Sequence, residues 1–500
     1  MKTIDQIAAE LPGYDPQALR AADVNAFLER LVAPVAETEE VGIFDALGRV
    51  LAQDVVSPIS VPPHDNSAMD GYAFDGAQLA PGQALQLRPV GGTAFAGRAW
   101  TGQVADGECV KIMTGAVMPA GLDTVVPQEL VTTDAEGRIH IAADLLRRGA
   151  NRRLVGEDLM QGSVSLAKGE LLTPAAIGLV ASLGLKSITV YRRLRVAYFS
   201  TGDEILSLGE APREGAVYDS NRYTIFGLLT RLGLQVIDLG AVRDEPALLE
   251  AAFRRAASQA DAIITSGGVS MGEADHTRTM MKRLGDVAFW RIAMRPGRPM
   301  AVGRIRPEFN DCLHTAEAPH PSLSPKGQGR SAAPNLLPLP LGEGGGEGLR
   351  STLRPISDQE LSTSNACPSS ASSYQNESAH EAAGSVLFGL PGNPVAVMVS
   401  FLVFVRPALL RMMGCTRAAP PLLRARCTEA LRKKVGRSEY QRGLVSQGPD
   451  GELLVRTTGN QGSGVLSSMV QANGLIVLHH DRGTVAAGDM VDVMMFDGVI

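Results

Sequence analysis

Acidic side chains follow three apolar segments that the sequence predicts to be β-strands. Asp203 and Glu204 come after the first segment, Asp244 comes after the second, and Asp275 lies beyond the third. Because the carboxyl ends of parallel strands meet at one edge of a sheet, we expect these carboxylates to converge there. Carboxylate oxygens suit Mg²⁺, which completes its coordination shell with water and phosphate oxygens. The pattern therefore predicts a magnesium site, although a helix N-cap is the simpler interpretation of Asp244 taken alone.

A pair of glycines follows the third predicted strand, in the loop Ser266-Gly267-Gly268-Val269-Ser270. Consecutive glycines let backbone N–H groups point towards an anion such as a phosphate. A tight turn is an equally good interpretation of this loop on its own. The loop matches neither GxGxxG nor GxxxxGK[ST], so the sequence supports neither a dinucleotide-binding fold nor a P-loop.

Three arginines, Arg291, Arg295 and Arg298, lie within eight residues of one another around Pro296 and Gly297. Proline and glycine prevent a regular helix here and restrict the backbone, so the guanidinium groups are held on a stiff loop. Guanidinium groups bind oxyanions through paired hydrogen bonds. The loop is therefore a candidate receptor for a multiply charged anion, with a solvated basic loop as the alternative interpretation.

Strands and helices alternate between about residues 190 and 305, which is typical of βαβ units around a parallel sheet. The predicted strands are 195–199, 235–242, 261–265 and 386–390. The last strand leads through Pro391-Gly392-Asn393-Pro394 into an apolar helix that we expect to end at Val405. A helix of this length is too short to span a membrane, so we interpret it as a buried core helix.

The fold class predicted from these patterns is multidomain α/β plus β, with a central doubly wound parallel-sheet domain. A β-rich inserted domain, a small helical lead-in module and a C-terminal all-β barrel-like domain complete it. The predicted bounds are 1–48 with 145–187 for the helical module, 49–144 for the β-rich domain, 188–415 for the α/β domain and 420–500 for the C-terminal domain.

Residues 306–384 interrupt the predicted α/β domain between two of its strands. This segment contains 9 Pro, 8 Gly and 12 Ser, a composition typical of disordered polypeptide. We predict an inserted disordered loop. The free-energy cost of closing a loop rises only logarithmically with its length, so the domain can fold around such an insertion.

The overall composition excludes several classes of protein. A net charge of -6 over 500 residues argues against a nucleic-acid-binding protein, and only a local anion site is compatible with it. The five cysteines have no CxxC spacing, which indicates reduced thiols. The N-terminal segment carries Asp5 and Glu10 where an export signal needs an apolar stretch. We therefore expect a cytoplasmic protein that does not associate with membranes.

Six motifs in order along the chain resemble the molybdopterin molybdenumtransferase family, which is also called MoeA and includes the gephyrin E domain. The motifs are Asp65-Asn66-Ser67-Ala68-Met69-Asp70-Gly71-Tyr72-Ala73, Ile112-Met113-Thr114-Gly115-Ala116, Phe199-Ser200-Thr201-Gly202-Asp203-Glu204, Ser266-Gly267-Gly268-Val269-Ser270, Pro296-Gly297 and Gly389-Leu390-Pro391-Gly392-Asn393-Pro394. The resemblance covers nearly the whole chain except the insertion.

The resemblance implies that the central domain binds molybdopterin. It further implies that the protein inserts molybdate into adenylylated molybdopterin, releases AMP and uses Mg²⁺. The family forms a homodimer whose active site lies between the α/β domain of one subunit and the β-rich domain of the other. A molybdopterin adenylyltransferase is the expected upstream partner.

The resemblance also assigns roles to individual residues. Asp70 and Thr114 would reach the active site from the second subunit. The residues expected around the metal and the phosphates are Glu204, Asp244 and Asp275, with Asp244 and Asp275 as Mg²⁺ ligands. Arg291 and Arg295 are expected to be catalytic, together with the five residues just named. The expected substrate-binding residues are Ser266, Gly267, Gly268, Ser270, Arg298, Pro391, Gly392, Asn393, Pro394, Arg437 and Ser463. The three arginines of the Pro-Gly loop occupy positions where the family mostly has lysine.

Two other functions are compatible with the same residues. A binding or scaffold protein would keep the pterin pocket without turnover. An adenylyltransferase or nucleotide hydrolase would use the same α/β module, although the related adenylylating domains favour Thr-Gly after the paired glycines, where this chain has Val269-Ser270.

Overall fold

The computed structural model describes residues 2–269, 276–307, 384–417 and 419–498. Two predicted site residues, Ser270 and Asp275, lie outside the described residues, as does nearly all of the predicted insertion 306–384.

The first part of the chain combines short helices with a β-rich region. Its elements are α1 (Ile4–Ala9), α2 (Ala21–Leu31), β1 (Thr38–Gly42), β2 (Val55–Val56), β3 (Asn66–Ser67), β4 (Gly71–Phe74), β5 (Leu85–Ala94), β6 (Glu108–Ile112), β7 (Thr124–Pro127), β8 (Thr132–Thr133), β9 (Ile139–Ile141), β10 (Arg152–Arg153), β11 (Val164–Leu166), α3 (Pro174–Ser182) and β12 (Ser187–Tyr191). Strands β7-β4-β6-β5-β9-β8 form one sheet in that order. Strand β12 returns to pair with β1, so the β-rich region is inserted between them.

The central region contains the parallel sheet predicted from the alternating pattern. Its elements are β13 (Arg195–Thr201), β14 (Ile205–Leu206), β15 (Val217–Tyr218), α4 (Ser220–Arg231), β16 (Gln235–Val242), α5 (Pro246–Gln259), β17 (Ala262–Ser266), α6 (His276–Leu284), β18 (Gly285–Arg291), β19 (Met294–Arg295), β20 (Pro299–Ile305), β21 (Ser385–Leu390), α7 (Pro394–Ser400) and α8 (Arg406–Met412). The sheet order is β16-β13-β17-β21-β20-β18. Strands β16, β13, β17 and β21 are parallel, whereas β20 and β18 extend the sheet in antiparallel pairing.

Both faces of this sheet are covered, which is why its central strands are apolar on both sides. Alternate side chains of β13 belong to two different hydrophobic cores. Val196 and Tyr198 pack on one face of the sheet with α2, α4, α7 and α8. Ala197 and Phe199 pack on the other face with α5 and α6. Phe199 contacts Phe253 of α5 edge-on, with ring centroids 5.0 Å apart. This arrangement is the doubly wound fold.

The apolar helix after β21 is longer than predicted. It begins at Pro394 and continues through a π-helical turn, Phe401–Val405, to Met412. Pro407 does not end it, because the π-helical turn immediately before this proline changes the local hydrogen-bond pattern of the helix. In the described part of the chain this is the one helix with the length and hydropathy of a membrane span, and 78% of its most apolar stretch is buried inside the protein.

The C-terminal region is a closed barrel. Its elements are β22 (Leu423–Cys427), β23 (Ser438–Gln447), β24 (Leu453–Thr457), α9 (Ser467–Gln471), β25 (Gly474–Leu478) and β26 (Met490–Met495). The order β23-β24-β22-β26-β25 closes because β25 also pairs with β23. The barrel is filled by residues such as Val455, Ile476 and Val493. Strand β19 lies in the loop of the three arginines, residues 291–298, called the arginine loop below. It pairs with β23, so this loop is attached to the barrel.

Candidate functional site

A cavity of about 530 Å³ lies at the carboxyl edge of the parallel sheet. Its lining includes the glycine loop, the arginine loop, the segment after β21 and three residues of the barrel region, Arg437, Gln461 and Ser463. The predicted site residues that line it are Glu204, Gly267, Gly268, Arg295, Arg298, Pro391, Gly392, Asn393, Arg437 and Ser463. The structure therefore brings together residues separated by more than 250 positions in the sequence, as the sheet topology requires.

The glycine loop cannot accommodate side chains at either glycine. Gly267 has φ +92°, and a Cβ atom there would lie 2.4 Å from the carbonyl oxygen of Thr201. Gly268 has φ +62°, and a Cβ atom there would lie 2.4 Å from Cβ of Thr277. Both glycines are therefore required by the close approach of the loop to its neighbours, and both present backbone to the cavity.

Ser266 lies below this loop and not on the cavity surface. Its hydroxyl is 2.6 Å from the hydroxyl of Tyr198, which is also 2.8 Å from Oγ of Ser200. All three side chains are buried. Burial raises the pKa of Tyr198, so the phenol stays protonated and neutral. Ser266 thus supports the loop from beneath, and its role as a substrate-binding residue stays a prediction.

The arginine loop contributes two guanidinium groups to the cavity, those of Arg295 and Arg298. Within the described residues, neither has a carboxylate oxygen within 4.0 Å. The third arginine, Arg291, instead lines a separate, smaller cavity of about 190 Å³, which it shares with Arg298. Arg291 is the last residue of β18 and Arg295 belongs to β19, so the chain turns between them and separates the two side chains.

Arg437 reaches the cavity from the barrel and is fixed by Glu439. The Nε and Nη2 atoms of Arg437 lie 2.8 and 2.7 Å from Oε1 of Glu439. Glu439 is 3% exposed and also accepts a hydrogen bond from Gln441 at 3.1 Å. Two guanidinium nitrogens on one carboxylate oxygen orient the group, so Arg437 presents its remaining N–H donors in a defined direction.

Arg442 is a buried residue of the site that the sequence did not reveal. It is 1% exposed and donates to the carbonyl oxygens of Asn460 and Gly462 at 3.2 and 2.9 Å. Its backbone N–H also donates to Oε1 of Gln461 at 2.8 Å. Arg442 therefore holds the loop that carries Ser463. Burial, and secondarily the positive charge of Arg295, lowers the pKa of Arg442 to about 10.

The segment after β21 is held from below by an amide. Asn221 of α4 donates through Nδ2 to the carbonyl oxygen of Gly392 at 2.7 Å. Pro394 does not line the cavity and is the first residue of α7. Ala396 lies in that helix and lines the cavity.

The predicted carboxylates approach each other at two of the strand ends. The backbone N–H of Asp244 donates to Oδ1 of Asp203 at 3.2 Å, and Oδ1 of Asp244 accepts a hydrogen bond from Thr277 at 3.1 Å. The interpretation of Asp244 as a helix N-cap is wrong, because Glu245 occupies the N-cap of α5 and makes no side-chain capping bond. Helix α5 starts at Pro246, so Asp244 lies before its N-cap. The Asp244 carboxylate instead accepts a hydrogen bond from Thr277.

These oxygen donors have the chemistry that Mg²⁺ prefers. In the described ranges, no group of three or more His, Cys, Asp or Glu side chains is close enough to hold a metal ion. The predicted pair of ligands includes Asp275, which lies outside those ranges. Asp244 by itself supplies a carboxylate that is not paired with a cation in the described structure, and this is compatible with a metal ligand.

Asp70 and Thr114 contact each other in the β-rich region. Oδ1 of Asp70 accepts hydrogen bonds from Oγ1 and from the backbone N–H of Thr114, at 2.6 and 2.7 Å. The hydroxyl bond, and then the N–H bond, lowers the pKa of Asp70 below its usual range. Neither residue lines the cavity of about 530 Å³ in this chain.

Three family models match the sequence. The "MoeA N-terminal region (domain I and II)" matches residues 19–184, the "probable molybdopterin binding domain" matches residues 197–411, and the "MoeA C-terminal region (domain IV)" matches residues 424–496. The second of these contains the glycine loop and the arginine loop, and the third contains Arg437 and Ser463.

Characterised relatives match over most of the chain. The molybdopterin molybdenumtransferase of Haemophilus influenzae is 35% identical over 474 residues, which are 95% of this chain and 97% of the relative. The molybdopterin molybdenumtransferase of Nostoc sp. is 30% identical over 463 residues, covering 92% of this chain and 88% of the relative.

A solved structure has the same fold. The molybdopterin biosynthesis MoeA protein of Pyrococcus horikoshii aligns with a TM-score of 0.66 at 21% identity, covering 96% of this chain and all of the other. Fold, cavity and sequence similarity agree, and the chain belongs to the molybdopterin molybdenumtransferase family of molybdenum cofactor biosynthesis.

Proposed function

We propose that this transferase inserts molybdate into adenylylated molybdopterin and releases AMP. The observation that carries the proposal is the set of three guanidinium groups, from Arg295, Arg298 and Arg437, around one cavity with the paired glycines. Cleavage of a phosphoanhydride requires alignment and neutralisation of negative charge more than covalent catalysis. This cavity supplies backbone groups of the paired glycines for alignment and guanidinium groups for charge neutralisation.

Arg437, which Glu439 orients, has a different role in the proposed reaction from Arg295 and Arg298. Molybdate is a tetrahedral dianion, and a guanidinium group can donate to two of its oxygens. Arg437 is already oriented by Glu439, so it would fix the position of the oxyanion together with the hydroxyl of Ser463. Arg295 and Arg298 have no carboxylate partner in the described structure, so their charge is available to the oxyanion and to the phosphates.

The glycine loop and Glu204 would position the nucleotide side of the substrate. The backbone at Gly267 and Gly268 faces the cavity, where N–H groups can donate to phosphate oxygens. Mg²⁺ would be held by Asp244 and Asp275 and, when bound, would neutralise charge on the phosphoanhydride. Glu204 lies in the same cavity and would orient water or metal-bound ligands at that edge.

The active site is proposed to need a second subunit. Asp70 and Thr114 do not line the cavity of their own chain, and their tight mutual hydrogen bonds keep the carboxylate ionised at neutral pH. A homodimer would bring this pair to the cavity of the partner. Phe44 is fully exposed and Leu47 is 54% exposed, and a partner subunit would remove such apolar surface from water.

The proposed setting is the cytoplasm, with a molybdopterin adenylyltransferase supplying the substrate. The support for this setting comes from the sequence composition and from the chemistry of the proposed substrate, whose AMP group must be added by a separate nucleotidyl transfer.

The proposed reaction can be tested by AMP release. Purified protein, adenylylated molybdopterin and Mg²⁺ should release AMP only when molybdate is added, and Arg437→Gln should lower the rate about 10- to 100-fold. Arg456→Gln is the control, since Arg456 is an exposed arginine on β24 of the same barrel. Tight pterin binding without molybdate-dependent AMP release would instead indicate a binding protein. ATP-dependent adenylylation of molybdopterin would indicate an adenylyltransferase.

A further inference from the structure

A second large cavity, of about 650 Å³, lies at the other end of the apolar helix from the proposed active site. The helix begins beside Asn393 at the active-site cavity, whereas the second cavity is lined by Arg406, Arg411 and Arg417 at its far end. With a rise of about 1.5 Å per residue, roughly 25 Å separate Pro394 from Arg411 along the helix. The two cavities share no lining residue.

Among the described residues, no carboxylate neutralises the charge of Arg406. Its Nε atom is buried and has no hydrogen-bond partner, and Nη2 donates only to the carbonyl oxygen of Gly498, at 3.1 Å. No carboxylate of the described chain lies within 4.0 Å of it. Burial lowers the pKa of Arg406, because a desolvated cation without a counterion is destabilised. A bound anion would remove this cost.

The other two arginines add to the same positive potential. Arg411 and Arg417 are exposed and, across the described ranges, have no ion pair. Glu29 of α2 is the one carboxylate among the residues that line the cavity. Interaction with the carboxyl end of the helix explains an arginine in its last turn, which is the position of Arg411. It does not explain Arg417, which lies beyond the helix, or the cavity that all three share.

We propose that this second cavity binds a small organic molecule that carries one or more phosphate groups. Guanidinium groups from three positions can share the oxygens of a phosphate or diphosphate. The volume falls in the range of cofactor and ligand sites. Leu28, Pro407, Ala408 and Leu410 form apolar walls that fit an organic group next to the charged one. None of these residues lines the proposed active site.

Binding of pyrophosphate to the full-length protein tests the proposal. The active-site cavity also attracts anions, so the measurement uses an Arg295→Gln/Arg298→Gln background. Calorimetry in this background should still detect one equivalent of bound pyrophosphate. Adding Arg411→Gln/Arg417→Gln should weaken its affinity about 10- to 100-fold, the loss expected for charge-assisted hydrogen bonds. Both of these residues are exposed, so the substitutions leave the core intact.

The matched control removes two exposed arginines elsewhere, Arg231 on α4 and Arg255 on α5, with the same change in net charge. It should leave the affinity unchanged. No binding in the starting background, or equal loss in the control and in the Arg411/Arg417 variant, would overturn the proposal. AMP should bind more tightly than inorganic phosphate, because its organic part contacts the apolar walls. Binding of phosphate with exclusion of AMP would contradict the assignment to an organic phosphate.

Discussion

At the scale of single residues, the cavity depends on cations that are held in two different ways. Arg437 is oriented by a buried carboxylate, whereas Arg442 is buried without one and uses its N–H groups to hold backbone carbonyls. Arg442 is on β23 and Arg437 immediately precedes that strand, so one segment of the barrel supplies a group that faces the cavity and a group that positions its neighbours. Arg442 is therefore a positioning residue for the loop that carries Ser463.

Replacing Arg442 tests this positioning role. Arg442→Gln should raise the KM for molybdate about tenfold, because the carbonyl oxygens of Asn460 and Gly462 lose their buried donor and the loop loosens. Arg442→Lys keeps a charge and one donor and should recover part of the loss, whereas Arg456→Gln should change nothing. Steady-state AMP release at varied molybdate gives kcat and KM separately. A fall in kcat alone, with no change in KM for molybdate, would contradict the positioning role.

At the scale of elements, the turns at the ends of parallel strands form the site. The turn after β17 depends on Gly267, whose missing side chain lets the backbone approach Thr201. Gly209 offers a matched comparison, because it has a similar φ of +89° but open space around its Cα. A substitution at either position therefore strains the backbone, but only one of them also creates a steric clash.

We expect Gly267→Ala to lower the free energy of unfolding by about 2 kcal/mol more than Gly209→Ala does. The difference reports the clash with the Thr201 carbonyl oxygen, since the backbone strain is common to both. Urea unfolding of the two purified variants measures it. Equal destabilisation would show that the loop moves freely away from Thr201.

The sequence predicted the elements of this sheet better than the details of its turns. Strands rich in β-branched residues and the glycine pair were evident, because local composition determines both. The predicted N-cap of α5, Asp244, was wrong by one residue, and the helix after β21 continues beyond its predicted end at Val405. Capping contacts and the π-helical turn depend on tertiary neighbours, which the local sequence does not specify. The role of Arg442 could not be predicted, because the sequence does not distinguish a buried arginine from an exposed one. The predicted domain bounds stay predictions.

The strand pair β20–β21 explains how a long insertion can be tolerated. Ile305 pairs with Ser385, so the described chain enters and leaves the insertion at adjacent positions of one antiparallel ladder. Deletion of 308–383 leaves Arg306, Pro307 and Gly384 as a three-residue loop. Gly384 already has φ +65°, the conformation that such hairpin loops require at their last position.

We expect this deletion, combined with Pro307→Asn to suit the turn, to give a folded protein with soluble yield equal to or above that of the full chain. Circular dichroism and AMP release measure fold and activity. The full-length Pro307→Asn protein is the control for the point substitution. Loss of folding on deletion would show that residues 308–383 contribute to the core.

At the scale of the whole molecule, the proposed active site is shared between two subunits. Asp70 and Arg437 lie in different regions of one chain, and only Arg437 lines the cavity there. Two variants that each lack one of these groups should therefore complement each other. In a mixed dimer, one of the two sites would contain both altered residues and the other would contain neither.

Co-expression of Asp70→Asn and Arg437→Gln chains should restore about a quarter of wild-type AMP release, because half of the dimers are mixed and half of their sites are intact. Each variant expressed alone should be nearly inactive. Size-exclusion chromatography with light scattering establishes that dimers form. Absence of recovery in verified mixed dimers would contradict a shared site.

We propose that molybdate binds in the cavity between the arginine loop and the barrel. Anomalous diffraction at the molybdenum edge, from crystals of the protein with bound molybdate, tests it most directly. We expect one peak within hydrogen-bonding distance of Arg295, Arg437 and Ser463, and its loss in crystals of Arg437→Gln. A molybdenum peak at another site, with this cavity empty at saturating molybdate, would contradict it.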